Sequence, residues 1–248
     1  MVFSFTGLVA FALATIRATV FLVMCPPFNN RVISGRIKAM LGIALGMAVF
    51  HKVTPVTGTA EFITQAIMQA IIGASMGFVV YLLVVAVQAA GSMIDLQGGF
   101  SMGQSFDPMS MTSGAAMSRL FNMTALVMLF VSSGYQVVIM GLARSFDAVP
   151  VGMVPSFANL AQVLSTQSGQ LILSALEIAG PLLGILFLTD VGLGLLTRVA
   201  PALNAFALGF PLKIFVTLTF IPALILVIPY VTDQLVGRGA ELMLEVYR

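Results

Sequence analysis

Residues Phe62 to Ala90 read FITQAIMQAIIGASMGFVVYLLVVAVQAA, a long hydrophobic run. A helix needs only ~20 apolar residues, at ~1.5 Å each, to cross the hydrocarbon core of a bilayer. Working outward, the same pattern recurs. Val2 to Met24 is apolar apart from Arg17, and Leu120 to Leu142 is a clean span. Leu171 to Leu188 is followed at once by Val191 to Leu208, and Ile214 to Val231 closes the apolar part, broken by Pro222 and Pro229. Ile37 to Phe50 is apolar but covers only about 21 Å, too short to span unaided. Cys25 to Arg36 is a turn-rich linker, and Thr232 to Arg248 reads as a short amphipathic helix. These make about six hydrophobic elements, so the fold class is all-α and integral to a membrane.

Composition agrees. Of 248 residues, 59% are hydrophobic and 8% charged, against about 25% charged in a soluble domain. The mean hydropathy is +1.08. So few charges cannot cover a water-facing surface. Net charge is +2 with Lys and Arg scattered, so no basic run points to nucleic acid. One cysteine, Cys25, excludes an internal disulfide, and one histidine, His51, argues against a histidine metal site or proton relay. No cofactor is expected. The first hydrophobic stretch lacks a basic n-region and a small-residue cleavage site, so it reads as a retained helix. Arg31, Arg36 and Lys38 place the first linker in the cytoplasm by the positive-inside rule, although the later loops divide their basic residues almost evenly.

Small residues mark packing faces. Gly42 and Gly46, Gly73 and Gly77, and Gly180 and Gly184 each stand four residues apart, as do Ala10, Ala14 and Ala18. Such faces let helix backbones approach closely, within the chain or between subunits. Interrupted elements survive at membrane depth only inside protein or around a water-filled cavity. The chain therefore expects partners.

The most unusual segment is Gly91 to Ser118, GSMIDLQGGFSMGQSFDPMSMTSGAAMS, which reads as a loop between two apolar helices. It contains five glycines, six serines and five methionines, with Phe100 and Phe106 interleaved. Methionine fills irregular gaps and glycine lets the backbone reshape. Gly98, Gly99, Phe100, Met102, Phe106, Met109, Met111 and Met117 could form a soft plug or constriction. An ordinary mobile loop touching lipid or neighbours fits the same composition.

Charges in or beside apolar stretches form a second set. Arg17, Glu177 and Asp190 lie where an unpaired charge costs at least ~2.5 kcal/mol. Together with Asp95, Arg198 and Lys213 they are candidate buried or pore-facing charges. A proton path or pore lining is one reading, and a structural ion pair with Arg198 or Lys213 is the other.

Two motifs mislead. Gly73-Ala74-Ser75-Met76-Gly77 matches the nucleophile elbow of hydrolases, but that elbow needs a strand, a turn and a helix, and this copy lies inside an apolar helix. Cys25 lacks a lipobox before it and reads as a buried, inert thiol.

Ala90-Gly91-Ser92-Met93-Ile94-Asp95-Leu96-Gln97-Gly98, followed by Asp107-Pro108, resembles the central signature of the FliR family of flagellar export proteins. That family also includes the equivalent protein of virulence type III secretion. Gly194-Leu195-Leu196-Thr197-Arg198-Val199-Ala200-Pro201, then Asn204, Phe206, Gly209, Pro211 and Lys213, looks like its C-terminal signature. Arg17 and Pro26-Pro27-Phe28 fall where the family tends to have an arginine and a proline-rich turn. Ala202 departs from the family's usual glutamine after the proline.

The resemblance implies a non-enzymatic pore component of the export gate at the flagellar base, in the bacterial inner membrane. Its partners would be FliP-like and FliQ-like subunits, other gate proteins of the FlhA and FlhB kinds, and unfolded export substrates. It implies helical hairpins wound into a multi-subunit assembly, with a FliP-like part over residues 1–169 and a FliQ-like hairpin and tail over 170–248. The loop Gly98 to Met117 would be the plug of the closed pore. A solute transporter built on broken helices and midplane charges is the competing class, but residues 1–124 and 125–248 show no matching halves.

Overall fold

Every apolar stretch becomes a helix, and three become far longer than a bilayer requires. The computed structural model describes residues 5–30, 32–54, 56, 58–101, 116–153, 156–200 and 205–245. Their helices are α1 (Phe5–Met24), α2 (Gly35–Val49), α3 (Thr59–Gly98), α4 (Ala116–Val131), α5 (Gly134–Ala148), α6 (Phe157–Val199) and α7 (Ala205–Glu245), with one 3-10 turn at Phe50–Lys52. Four of these are long and apolar enough to cross a membrane, or five if the bent pair α4–α5 is one span. The all-α membrane class holds.

The boundaries depart from the sequence reading in four places. Leu171–Leu188 and Val191–Leu208 do not form two elements, because α6 runs unbroken through Pro181 and Asp190 to Val199. The last span and the amphipathic tail are likewise one helix, α7, which carries Pro211, Pro222 and Pro229 inside it. Proline deletes one hydrogen bond and bends a helix. In hydrocarbon, ending the helix would expose several backbone groups with no water to receive them, so continuing is the cheaper course. The clean span expected over Leu120 to Leu142 is broken instead: α4 and α5 meet at 72°. Ser133 takes a left-handed φ of 61° there, and the Ser133-Gly134 pair is the turn signal. Finally, Gly91 to Gly98 is not loop but the last two turns of α3, and Ala116 to Ser118 already belongs to α4.

The chain forms two compact units. In the first, residues 1–83, 129–168 and 233–248, α1 buries one face. Its Leu13, Ala14, Ala18, Phe21 and Leu22 join Ile72, Met76, Val79 and Val80 of α3 and Val138, Leu142 and Phe146 of α5 in one apolar cluster. Glycines set the spacing. A Cβ on Gly42 or Gly46 would collide with Thr19 or Thr15, and one on Gly73 or Gly77 with the carbonyl of Arg17 or Phe21. Backbone-close packing of this kind replaces the hydrophobic drive that lipid removes. Cys25 is buried after α1, and burial pushes its thiol up to about 12, which leaves it inert.

Arg17 lies at the centre of this unit with 0% exposure. Its Nε donates to Gln69 Oε1 at 2.6 Å, and its two terminal nitrogens donate to the Ser145 and Val149 carbonyls, each at 2.9 Å. The guanidinium also reaches Ser145 Oγ and lies 4.1 Å from the centre of the Phe146 ring. The charge therefore closes the C-terminal end of α5, where free carbonyls carry partial negative charge. Carbonyls at this helix end, together with the Gln69 and Ser145 side chains, thus receive the guanidinium.

In the second unit, residues 84–128 and 169–232, α3 and α4 lie face to face. Gly91 allows this, because a Cβ there would strike the Met117 carbonyl and Ser118. Beside it, Gln88 pairs with Asn122 at 3.0 Å and Ser92 with Ser118 at 3.0 Å. Polar side chains in an apolar helix are thus satisfied across the pair.

Candidate functional site

The second unit gathers its polar chemistry where α3 ends and the glycine- and methionine-rich loop begins. Asp95 is fully buried and faces the first turn of α4. Its carboxylate accepts the backbone N–H of Met117 at 3.0 Å and of Ser118 at 2.7 Å. Both are orphan donors at a helix N-terminus, the place where a carboxylate is most favoured. The carbonyl of the same residue accepts the N–H of Ser101 at 3.4 Å. One aspartate therefore holds the outgoing and the returning ends of the loop.

Gln97, half a turn later, donates to Asp190 Oδ2 of α6 at 2.9 Å. The other oxygen of Asp190 pairs with Lys213 Nζ of α7 at 2.6 Å. Three helices meet through one carboxylate, and Asp190 finds its cation in Lys213. The loop then leaves over α7. A Cβ on Gly98 would meet Thr217 Oγ1, and Gly99, at φ +84°, packs its open face on the Phe210 ring. Glycine is required at Gly99, since side chains rarely adopt that φ. Thr217 is itself buried and donates to the Lys213 carbonyl at 2.8 Å.

The remaining candidates fall as follows. Phe100 is half-buried beside Gly98, and Met117 is buried in the first turn of α4. Met102, Phe106, Met109 and Met111 lie outside the described residues. Arg198 is exposed in the last turn of α6, where a cation complements the helix dipole. Glu177 is exposed on α6. Gly180 and Gly184 have nothing within 4 Å of an added Cβ, unlike the two glycine pairs of the first unit. The sequence reading missed Gln97, Ser118 and Thr217. Gln97 was the one with a signal, a polar side chain two residues from Asp95 on the same helix end.

This cluster has the chemistry of a clamp. Each oxygen of its two carboxylates meets a donor, and among the described residues no group of His, Cys, Asp and Glu could hold a metal. Ser75, the residue of the elbow-like motif, is buried within α3 and donates to the Ile72 carbonyl at 2.9 Å. His51 is exposed in the first unit's 3-10 turn. Ser75→Ala is therefore expected to leave the function of the chain unchanged when it replaces the wild type in cells. Loss of function with normal protein levels would restore the nucleophile.

The model of the family described as bacterial export proteins, family 1, matches residues 8–239. The chain is 28% identical to the flagellar biosynthetic protein FliR of Pectobacterium carotovorum, over 93% of this chain and 90% of that one. It is 29% identical to the FliR protein of Bacillus subtilis, over 84% and 83%. It is also 28% identical to the surface presentation of antigens protein SpaR of Shigella flexneri, over 76% and 74%. A match that runs from the first turns of α1 to the last turns of α7 takes in both units and the loop root between α3 and α4. On that span, this helical membrane chain belongs to the bacterial export proteins of family 1, the family of the FliR flagellar biosynthetic proteins.

Proposed function

We propose that this chain is a structural, non-enzymatic pore component of a type III protein export gate. It works with FliP-like and FliQ-like subunits, and beside FlhA- and FlhB-like proteins, in the bacterial inner membrane at the flagellar basal body. The cargo is unfolded flagellar subunits. Residues 1–169 form the FliP-like part, and 170–248 the FliQ-like hairpin and tail. The longer coverage by flagellar relatives favours this over virulence secretion, which the SpaR match keeps as the second reading.

The observation that carries the proposal is the loop root. A soft loop can seal a conduit only if its ends stay fixed while its middle deforms. Asp95 ties both ends, and Gln97, Asp190 and Lys213 anchor the exit helix. The segment between supplies methionine, glycine and phenylalanine, which fit varied extended chains without a fixed shape. Deleting Met109 to Gly114 is expected to leave the assembled gate in place but make cells leaky to small ions, read as loss of membrane potential. Normal impermeability with assembly intact would remove the plug.

A further inference from the structure

We infer that one face of α6 is the seat of a transmembrane helix from another subunit, and that this helix carries a lysine or arginine opposite Glu177. The inference rests on the export-gate reading and names the chemistry of one partner.

Within the second unit, α6 divides cleanly. Ala175, Ile178, Ala179, Leu182 and Leu186 are buried, and they repeat every three or four residues along one side. The opposite side is Leu173, Glu177, Gly180, Gly184, Leu188 and Val191, with the same spacing. Leu173 is 61% exposed and Leu188 67%. Lipid could cover the aliphatic residues. It cannot serve Glu177, which lies about six residues, or ~9 Å, inside the apolar part of the helix and makes no hydrogen bond or ion pair among the described residues. A carboxylate at that depth requires a donor.

The first unit shows how such a face is filled. On α3, Gln69, Gly73 and Gly77 stand one turn apart, a polar side chain followed by two glycines. Their occupant is α1, whose backbone lies on both glycines and whose Arg17 bonds Gln69. On α6, Glu177, Gly180 and Gly184 repeat that order, but the groove is open. The acceptor is now a carboxylate, so charge complementarity selects a cationic residue on a helix whose small side chains let it lie against Gly180 and Gly184.

The test uses the full set of gate subunits, co-expressed and purified in mild detergent through a tag on this chain. Glu177→Lys is expected to lower recovery of the other membrane subunits about tenfold or more, the factor that roughly 1.4 kcal/mol produces. Replacing one lysine or arginine of a co-purifying subunit by glutamate is expected to restore it. Gly184→Leu should lower recovery without changing how much of the chain inserts. Glu177→Cys should resist a charged maleimide in the assembled complex and react in the chain expressed alone. Unchanged recovery with both Glu177→Lys and Gly184→Leu would overturn the docking face. So would equal labelling of the cysteine in both states, which would put it on water. A wild-type chain that co-purifies with no membrane subunit would overturn the export-gate reading instead.

Discussion

Replacing Arg17 by alanine is expected to cost the first unit about 3–5 kcal/mol, as two or more buried acceptors lose their donor at about 1–3 kcal/mol each. Gln69 Oε1 and the Val149 carbonyl lose the donors that reach them, and Ser145 loses one on its carbonyl and one on its hydroxyl. Removing the guanidinium also leaves a cavity beside Phe146, which adds to the loss. Relief of the charge's own desolvation offsets part of it. A loss of this size is a large share of a stability of ~5–15 kcal/mol and corresponds to a fall of roughly 6–20 °C in Tm for a chain of this length. Lysine keeps the charge but not the fork. It can reach one of the three directions that Nε and the two terminal nitrogens now serve, so Arg17→Lys should fall between the two. Thermal unfolding of the detergent-solubilised chain measures the series. A Tm for the alanine variant within a degree or two of wild type would show that Arg17 does not hold α5.

The sequence shows where helices are and conceals where they stop. Long apolar runs such as Phe62 to Ala90 need only hydropathy to be read. The joins depend on what surrounds the backbone. Pro181, Pro211, Pro222 and Pro229 would end a helix in water, but all lie inside α6 and α7, because at membrane depth a bent helix leaves fewer groups unsatisfied than a broken one. Gly91 to Gly98 looks too polar for a helix until α4 is placed against it. Ser92 and Asp95 are then the residues that bond across, and Gly91 is the point of closest approach.

The candidate site was legible in the same uneven way. Asp95, Asp190 and Lys213 stand out as charges in apolar surroundings. Their partners do not, since Asp95 is matched by backbone N–H groups 22 and 23 residues away, which no side-chain pattern encodes. Arg17 is the extreme case, because two of its acceptors are carbonyls 128 and 132 residues distant. Helix ends are the hidden counter-charges of this chain. A reading that searches only for acids and bases will count these residues as unpaired.

Replacing Asp95 by alanine should act on the loop more than on the fold. Hydrogen bonds to a charged group contribute about 1.5–3 kcal/mol each, and the N-cap itself about 1 kcal/mol. Losing both bonds therefore frees the returning end of the loop by roughly 3 kcal/mol, about a hundredfold in the population of the released state. Ile94, Phe121 and Ala125, buried on the same two helices, are untouched, so the chain should still accumulate and assemble. Cells carrying the alanine variant are expected to lose ions through the gate, seen as partial collapse of membrane potential with a voltage-sensitive dye. Asp95→Asn keeps one acceptor for Met117 or Ser118 but turns an amide donor toward the other N–H. It should leak less than alanine and more than wild type. A purely structural role for Asp95 predicts a different pattern, in which protein level falls in proportion to the mutation and the surviving complexes stay tight. Assembled complexes of the alanine variant that hold potential as well as wild type would therefore detach the clamp from the seal.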